Sequence, residues 1–226
     1  MAELEAGTGR DGIQATTGIA HTRWATHGAP EVHNAHPHFS AGPGVDAMST
    51  GFGSLDGVDA GARTARIGLV HNGIIENHDE LRAELEARGY EFASQTDTEV
   101  IAHLVHHLYD GDLLDAVQRA LPRLKGAYAI AVFCRDEPHR VVGARAGSPL
   151  VLGVGQGEQF LASDAMALAG VTDQIVYLEE GDVVDLQLGR YWISAPDAQG
   201  RYAPADRVVR TVQAHSGAAE LGPYRH

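Results

Sequence analysis

Hydrophobic residues recur at helical spacing in three consecutive segments in the middle of the chain. The first helix is predicted at 79–88, since Asn77 precedes it as an N-cap and Gly89 follows it as a stop. The second is predicted to begin at Thr96, because Thr96 and Glu99 have the spacing of a capping box. Its apolar positions are Val100, Ile101, Leu104, Val105 and Leu108. The third helix is predicted from a cap and four apolar positions: Asp112, then Leu113, Leu114, Val117 and Leu121.

The hydrophobic runs on either side of these helices are typical of strands. A buried strand is predicted at 66–72, and a short strand that enters a turn at 18–24. After Gly126, short β-rich runs are separated by Gly, Pro and Asp; they comprise 127–133, 140–144, 149–154, 159–163, 174–178 and 182–188. Strands, then helices, then many strands predict an α+β fold. Residues 40–66 are rich in Gly, Ser and Ala and predict a flexible loop.

Composition and charge narrow the possible classes of protein. The chain has 226 residues, of which 44% are hydrophobic, enough for one large domain or two small ones. The formal net charge of −13 argues against a nucleic-acid partner, because phosphate binding needs a basic surface. No apolar run has the roughly 18 residues of a membrane helix, and residues 1–12 lack the parts of a signal peptide. The single Cys134 excludes an internal disulfide and indicates a reducing, cytoplasmic location.

Three motifs carry candidate chemistry. In 22–28 (TRWATHG), followed by 34–38 (NAHPH), the fork of Arg23 suits a carboxylate, although an ordinary surface turn is the alternative. Asn72 and Gly73 can supply a side-chain amide and a close backbone N–H to an oxyanion hole, or can form an Asn-Gly hairpin turn. Asp97, in the first turn of a helix, either holds a substrate ammonium group or only favours the helix start.

Other chemical signals are weaker. Glu99, His103, His106 and His107 are predicted on the helix face away from the apolar stripe, but no pattern supplies a further metal ligand. The glycines at 153–157 do not complete a phosphate-binding motif and predict a hairpin. Cys134 ends an apolar run without a neighbouring His and is predicted to be structural. The sequence therefore predicts neither a metal site nor a cofactor.

Seven motifs stand in the order found in one enzyme family. They are TGIAHTRWATHG (17–28), NAHPH (34–38), VHNGIIENHDEL (70–81), TDTEVIAHL (96–104), GSPLV (147–151), ASD (162–164) and LEEGD (178–182). By these motifs the chain resembles the glutaminase domain, a class II glutamine amidotransferase domain, of the glutamine–fructose-6-phosphate aminotransferases, or glucosamine-6-phosphate synthases. The resemblance covers 17–38 and about 66–190. It implies the αββα sandwich of N-terminal-nucleophile hydrolases, with part of the first strands missing here.

The resemblance also implies a mechanism and residue roles. In the family, an N-terminal cysteine attacks the glutamine amide with its own α-amino group as base, and ammonia passes to a sugar-isomerase domain. Arg23 resembles the clamp on the glutamine α-carboxylate, and Asp97 the partner of the α-ammonium group. Asn72 and Gly73 resemble the oxyanion hole. The remaining expected pocket residues are Thr26, His27 and His36 as lining and Trp24 near the ammonia exit.

The chain departs from the family pattern at its start. Met1 is followed by Ala2 rather than Cys, so the nucleophile has no counterpart and the chain is expected to be inactive in glutamine hydrolysis. The expected organisation is a divergent remnant at 1–16, an amidotransferase domain at 17–194 with an insertion at about 40–66, and a segment at 195–226 leading to a missing sugar-isomerase domain. Expected partners are glutamine or glutamate, the sugar-isomerase domain or subunit and, in the full-length enzyme, a second copy. The alternative is a non-catalytic module that binds glutamine, glutamate or a partner.

Overall fold

Two antiparallel sheets and one layer of three α-helices make up the part of the chain that the computed structural model describes, residues 16–21, 31–45 and 65–212. The helices are α1 (His78–Ala87), α2 (Asp97–Leu108) and α3 (Leu113–Ala120). The first sheet contains β1 (His38–Ser40), β2 (Ile67–Ile75), β3 (Gly126–Cys134), β4 (Arg140–Ala146), β8 (Val183–Gln187), β9 (Arg190–Pro196) and β10 (Tyr202–Pro204). The second contains β5 (Val151–Val154), β6 (Gln159–Ala162), β7 (Gln174–Tyr177) and β11 (Val209–Thr211).

The order of strands leaves one edge of β2 open. The first sheet runs β1-β2-β3-β4-β8-β9-β10, and the second runs β11-β7-β5-β6. β2 pairs with β3 along its whole length, from Ile67 opposite Cys134 to Ile75 opposite Gly126. On its other edge β2 pairs with β1 only as far as Leu69. Among the described residues, no strand therefore covers that edge from Val70 to Ile75, and the candidate site lies there.

Local signals fix the helix ends as the sequence predicts, except at the start of α1. Gly89 follows the last turn of α1, and its φ of 88° permits the two closing hydrogen bonds from Gly89 N–H to the Glu86 carbonyl and from Tyr90 N–H to the Leu85 carbonyl. Asp112 caps α3 by accepting the N–H groups of Leu114 and Asp115. Asn77 precedes α1 but its side chain makes no cap bond; it donates to Arg123 O and accepts from Lys125 N–H instead. Asn77 therefore ties α1 to the chain before β3.

Two apolar layers hold the sandwich together. One lies between the helices and the first sheet and includes Leu69, Ile101, Leu104, Ile130 and Val142. The other lies between the two sheets and includes Leu152, Val176, Val184, Leu186 and Ile193. Every residue of α2 from Asp97 to Val105 is buried, so this helix is covered on its polar side as well as on its apolar stripe. Burial on both sides makes α2 the fixed support of the neighbouring site.

Several elements differ from the sequence prediction. The described residues of the strand predicted at 18–24, Gly18–His21, have no regular secondary structure. Antiparallel pairing continues past position 194, because that position lies inside β9 and both β10 and β11 join the sheets. Of the loop predicted at 40–66, Ser40 belongs to β1, a turn follows at 43–44, and 46–64 lie outside the described residues. In the described ranges, no helix has the length and apolar character needed to cross a membrane.

Candidate functional site

Asp97 joins the start of α2 to the end of β2. It is the first residue of the helix, it is only 3% exposed, and its Oδ2 accepts the backbone N–H of Ile75 at 2.8 Å. His71 Nδ1 lies 3.9 Å from the same oxygen. The predicted N-cap of α2 is confirmed, because Thr96 Oγ1 accepts the Glu99 N–H. The carboxylate therefore stands at a fixed position at the open edge of β2.

The next residue of the helix, Thr98, links two imidazole rings. Its Oγ1 lies 2.8 Å from His36 Nε2 and 3.2 Å from His71 Nδ1. A hydroxyl has one proton to donate, so it donates to one ring nitrogen and accepts from the other. Thr98 thereby sets the orientation of the His36 ring, which lies just before β1, relative to the His71 ring on β2.

Asn72 of β2 contacts His21, which belongs to the motif at 17–28. His21 Nε2 lies 2.6 Å from Asn72 Oδ1, which is a short side-chain hydrogen bond. The rings of His21 and His36 meet edge to face with their centroids 4.1 Å apart. These contacts bring His21, His36 and Asn72 together at the same edge of the sheet.

Gly73 lies within the strand rather than in a turn. It stands opposite Tyr128 in unbroken pairing with β3, so the hairpin reading of Asn72-Gly73 is wrong. Its φ is 135°, and an added Cβ would lie 2.0 Å from the Ala127 carbonyl oxygen. Successive N–H groups of a strand point to opposite edges, and that of Ile75 points to Asp97. Because the Glu76 N–H donates to Lys125 on the β3 side and the Ile75 N–H does not, this alternation assigns the Gly73 N–H, two residues before Ile75, to the open edge.

Of the predicted site residues, the structure brings His36, Asn72, Gly73 and Asp97 together. Arg23, Trp24, Thr26 and His27 lie outside the described residues. The predicted site residues do not include His21, His71 or Thr98. Each lies one residue from, or within, a recognised motif, but nothing in the spacing indicates that His21 would meet Asn72 or that Thr98 would bridge two histidines.

The polar side of α2 anchors a loop. Glu99 accepts the N–H groups of Ala93 and Ser94 at 2.8 and 2.7 Å, so it does not close the predicted capping box on Thr96. Burial raises the pKa of Glu99, but His103 Nε2 at 3.7 Å from Glu99 Oε1, together with hydrogen bonds from Ser94 and Ala93, outweighs this effect and holds the pKa below its usual value. His103 in turn contacts Ser40 Oγ at 2.7 Å and the Glu91 carbonyl at 3.0 Å. The described residues hold no group of three or more side chains placed for a metal ion.

Cys134 has the environment of a structural residue. It ends β3, is fully buried in the layer between helices and sheet, and burial raises the pKa of its thiol. A raised pKa reduces the thiolate that a nucleophile needs. The prediction that Cys134 is structural agrees with this environment.

Comparisons with known proteins identify the class of the domain. Residues 60–170 match the family model described as a glutamine amidotransferase domain. The glutamine phosphoribosylpyrophosphate amidotransferase of B. subtilis, solved with ADP and GMP, is similar in structure with a TM-score of 0.51 and 28% identity. The similarity covers 56% of this chain and 28% of that one. The chain therefore carries a glutamine amidotransferase domain, and the predicted fold of the N-terminal-nucleophile type is confirmed.

The curated relatives specify the branch. The glutamine–fructose-6-phosphate aminotransferase (isomerizing) of Bordetella pertussis is 64% identical over 226 residues, which are 100% of this chain and 33% of the relative. That of Pseudomonas putida is 49% identical over 231 residues, again 100% of this chain and 33% of the relative. The domain is homologous to the glutaminase domain of these aminotransferases, as the motifs predict, and the chain spans about a third of their length.

Proposed function

We propose that this chain is the glutamine-binding part of a glutamine–fructose-6-phosphate aminotransferase, an enzyme whose glutaminase domain supplies ammonia from glutamine for the synthesis of glucosamine 6-phosphate. The convergence of His36, Asn72, Gly73 and Asp97 at the open edge of β2 carries the proposal. These residues come from three separate motifs. They combine an anion that suits an ammonium group with an amide and a backbone N–H that suit a side-chain carbonyl oxygen, and these groups fit an amino acid with a side-chain amide.

Each end of glutamine has a proposed partner. Asp97 attracts the α-ammonium group, and Arg23 holds the α-carboxylate in a bidentate contact. The Asn72 side-chain amide and the Gly73 N–H donate to the side-chain carbonyl oxygen, where negative charge develops during hydrolysis. The pocket lining is completed by His36, Thr26 and His27, with Trp24 at the ammonia exit.

Calorimetry with glutamine tests the binding part of the proposal. Asp97→Asn keeps the size of the side chain and removes its charge, so we expect affinity for glutamine to fall at least about tenfold, as for a charge-assisted contact. Arg23→Lys should also weaken binding, because a single ammonium cannot form the bidentate contact. Asp115→Asn is the matched control, since Asp115 is an exposed aspartate near the start of α3. Equal affinity in Asp97→Asn and the parent would refute the assigned role.

Whether this chain hydrolyses glutamine is a separate question from whether it binds glutamine. Attack on the amide carbon needs a nucleophile in contact with it, and the one cysteine of the chain is the buried Cys134. We propose that the chain by itself binds glutamine without hydrolysing it at an enzyme-like rate. Losing a nucleophile costs on the order of 10⁶-fold in other hydrolases. Robust glutamate release that Cys134→Ala abolishes would contradict this proposal, whereas binding without release would support it.

The proposed partners are a sugar-isomerase domain or subunit and, in the full-length enzyme, a second copy of the chain. The support is the name of the relatives and the third of their length that this chain spans. A cytoplasmic location fits the single unpaired Cys134. The proposed division into 1–16, 17–194 with an insertion at about 40–66, and 195–226 stays a proposal, and β10 and β11 of its last segment pair with strands of the preceding one. Light scattering of the chain with and without a separately produced isomerase domain tests the partners.

A further inference from the structure

His21 is placed to control the orientation of the Asn72 amide. An asparagine side chain presents a carbonyl oxygen at one end and an NH₂ group at the other, and the two ends are similar in size. In the structure it is Oδ1 that faces His21, with His21 Nε2 at 2.6 Å. Because a carbonyl oxygen can only accept, His21 Nε2 carries the proton and donates it. The NH₂ group of Asn72 then points away from His21.

The other nitrogen of the His21 ring supports this assignment. His21 Nδ1 is buried and has no hydrogen-bond partner among the described residues. A neutral ring has one proton, so a proton on Nε2 leaves Nδ1 bare. The other tautomer would place a bare Nε2 against the Asn72 oxygen and would also leave a buried Nδ1–H without an acceptor, so both nitrogens favour the proton on Nε2. The edge-to-face contact with His36, at 4.1 Å between centroids, limits rotation of the ring.

We propose that His21 is a positioning residue, which through its Nε2–H holds Asn72 with the NH₂ group toward the glutamine side-chain carbonyl. The inference rests on the proposed function, since it assumes that Asn72 donates to that oxygen. Without the His21 donor, the amide can turn over and present its own oxygen to the substrate carbonyl, where two acceptors repel. His21 does not itself contact the substrate in this arrangement, and it acts only through Asn72.

Two ligands separate this role from general damage to the pocket. Glutamine and norvaline share the α-carboxylate and the α-ammonium group, but norvaline has no side-chain amide. In the parent chain we expect glutamine to bind more tightly than norvaline. In His21→Phe, which keeps a ring and removes the donor, we expect glutamine binding to weaken about three- to tenfold while norvaline binding stays unchanged. His21→Gln offers an amide N–H near the position of Nε2 and should recover most of the difference.

His33→Phe changes a surface histidine that contacts Glu31 and should leave both affinities unchanged. Retention of the glutamine preference in His21→Phe, or a parallel loss for both ligands, would overturn the positioning role. If the parent binds neither ligand, the proposed function fails. The hydrogen bond from His21 to Asn72 is then tested by itself, by ¹⁵N NMR of the His21 ring. A proton on Nε2 and an altered Asn72 side-chain amide signal in His21→Phe support the inference; a proton on Nδ1 alone overturns it.

Discussion

The carboxylate of Asp97 accepts the backbone N–H of Ile75 at 2.8 Å, and so joins the first residue of α2 to the last residue of β2. The N–H of a strand end at an open sheet edge otherwise needs a partner, because a buried unpaired donor is costly. Helix-start electrostatics alone, the simpler explanation of an aspartate in this position, does not require this contact. The side chain proposed to hold the substrate ammonium group therefore also fixes the edge on which Asn72 and Gly73 lie.

This double role predicts different results for two substitutions of Asp97. Asp97→Ala leaves the Ile75 N–H without its acceptor and should lower the free energy of unfolding by about 1.5–3 kcal/mol, the range for a hydrogen bond to a charged group. Asp97→Asn retains an oxygen that can accept the same N–H and should be less destabilised, although both variants lose the charge. Urea unfolding measures the difference, with the exposed Asp115→Ala as control. Equal destabilisation by Ala and Asn would show that the contact with Ile75 contributes little.

A methyl group at Gly73 should disrupt the pairing of β2 with β3. The Cβ of Gly73→Ala would lie 2.0 Å from the Ala127 carbonyl oxygen, and the backbone φ of 135° is strained for any other residue. We expect a loss of at least about 2 kcal/mol in the free energy of unfolding. Gly44→Ala is a control at another positive φ, where an added Cβ meets nothing within 4 Å. Similar stability of the two variants in thermal unfolding would contradict the close approach at Gly73.

Glu99 should make the domain sensitive to acid. Its folded-state pKa is lower than the value of about 4.3 in an unfolded chain, so the unfolded state takes up the proton first as the pH falls. The stabilisation is therefore fully present above about pH 4.3 and is lost as the pH falls through the folded pKa. We expect Glu99→Gln to be less stable than the parent near neutral pH, and the difference between them to shrink on acidification. Urea unfolding at several pH values tests this, with exposed Glu86→Gln as control.

The ion pair between Arg207 and Asp182 predicts that residues beyond 194 stabilise the fold. Asp182 is fully buried, and its two oxygens accept Arg207 Nε at 2.9 Å and Nη2 at 2.6 Å. Arg207→Ala leaves this carboxylate without its cation, which should cost about 3 kcal/mol. Arg201→Ala removes an exposed pair with Asp197 and should change stability by less than about 1 kcal/mol. If a chain that ends at residue 194 were as stable as the parent, β10, β11 and this pair would not belong to the folded unit.

Local sequence was sufficient to predict the helices and, through its motifs, the family. Caps and stops act within one turn, so Thr96, Asp112 and Gly89 give the same helix ends in the sequence and in the structure. The alternation of short apolar runs with Gly, Pro and Asp likewise predicted six strands from β3 to β8 within a few residues. The order of the motifs alone is sufficient to indicate the branch of the amidotransferases.

Tertiary structure decided the chemistry at each motif, because the same residues permit more than one arrangement. Asn72-Gly73 suits a hairpin turn and a strand equally, and only the pairing with β3 selects the strand. Glu99 has the spacing to close a capping box, but the loop at Ala93 and Ser94 offers it two backbone donors. The contact of His21 with Asn72 joins residues far apart in the chain, and no local preference encodes such a distance. It exists because the edge of β2, the start of α2 and the segment before β1 pack against one another.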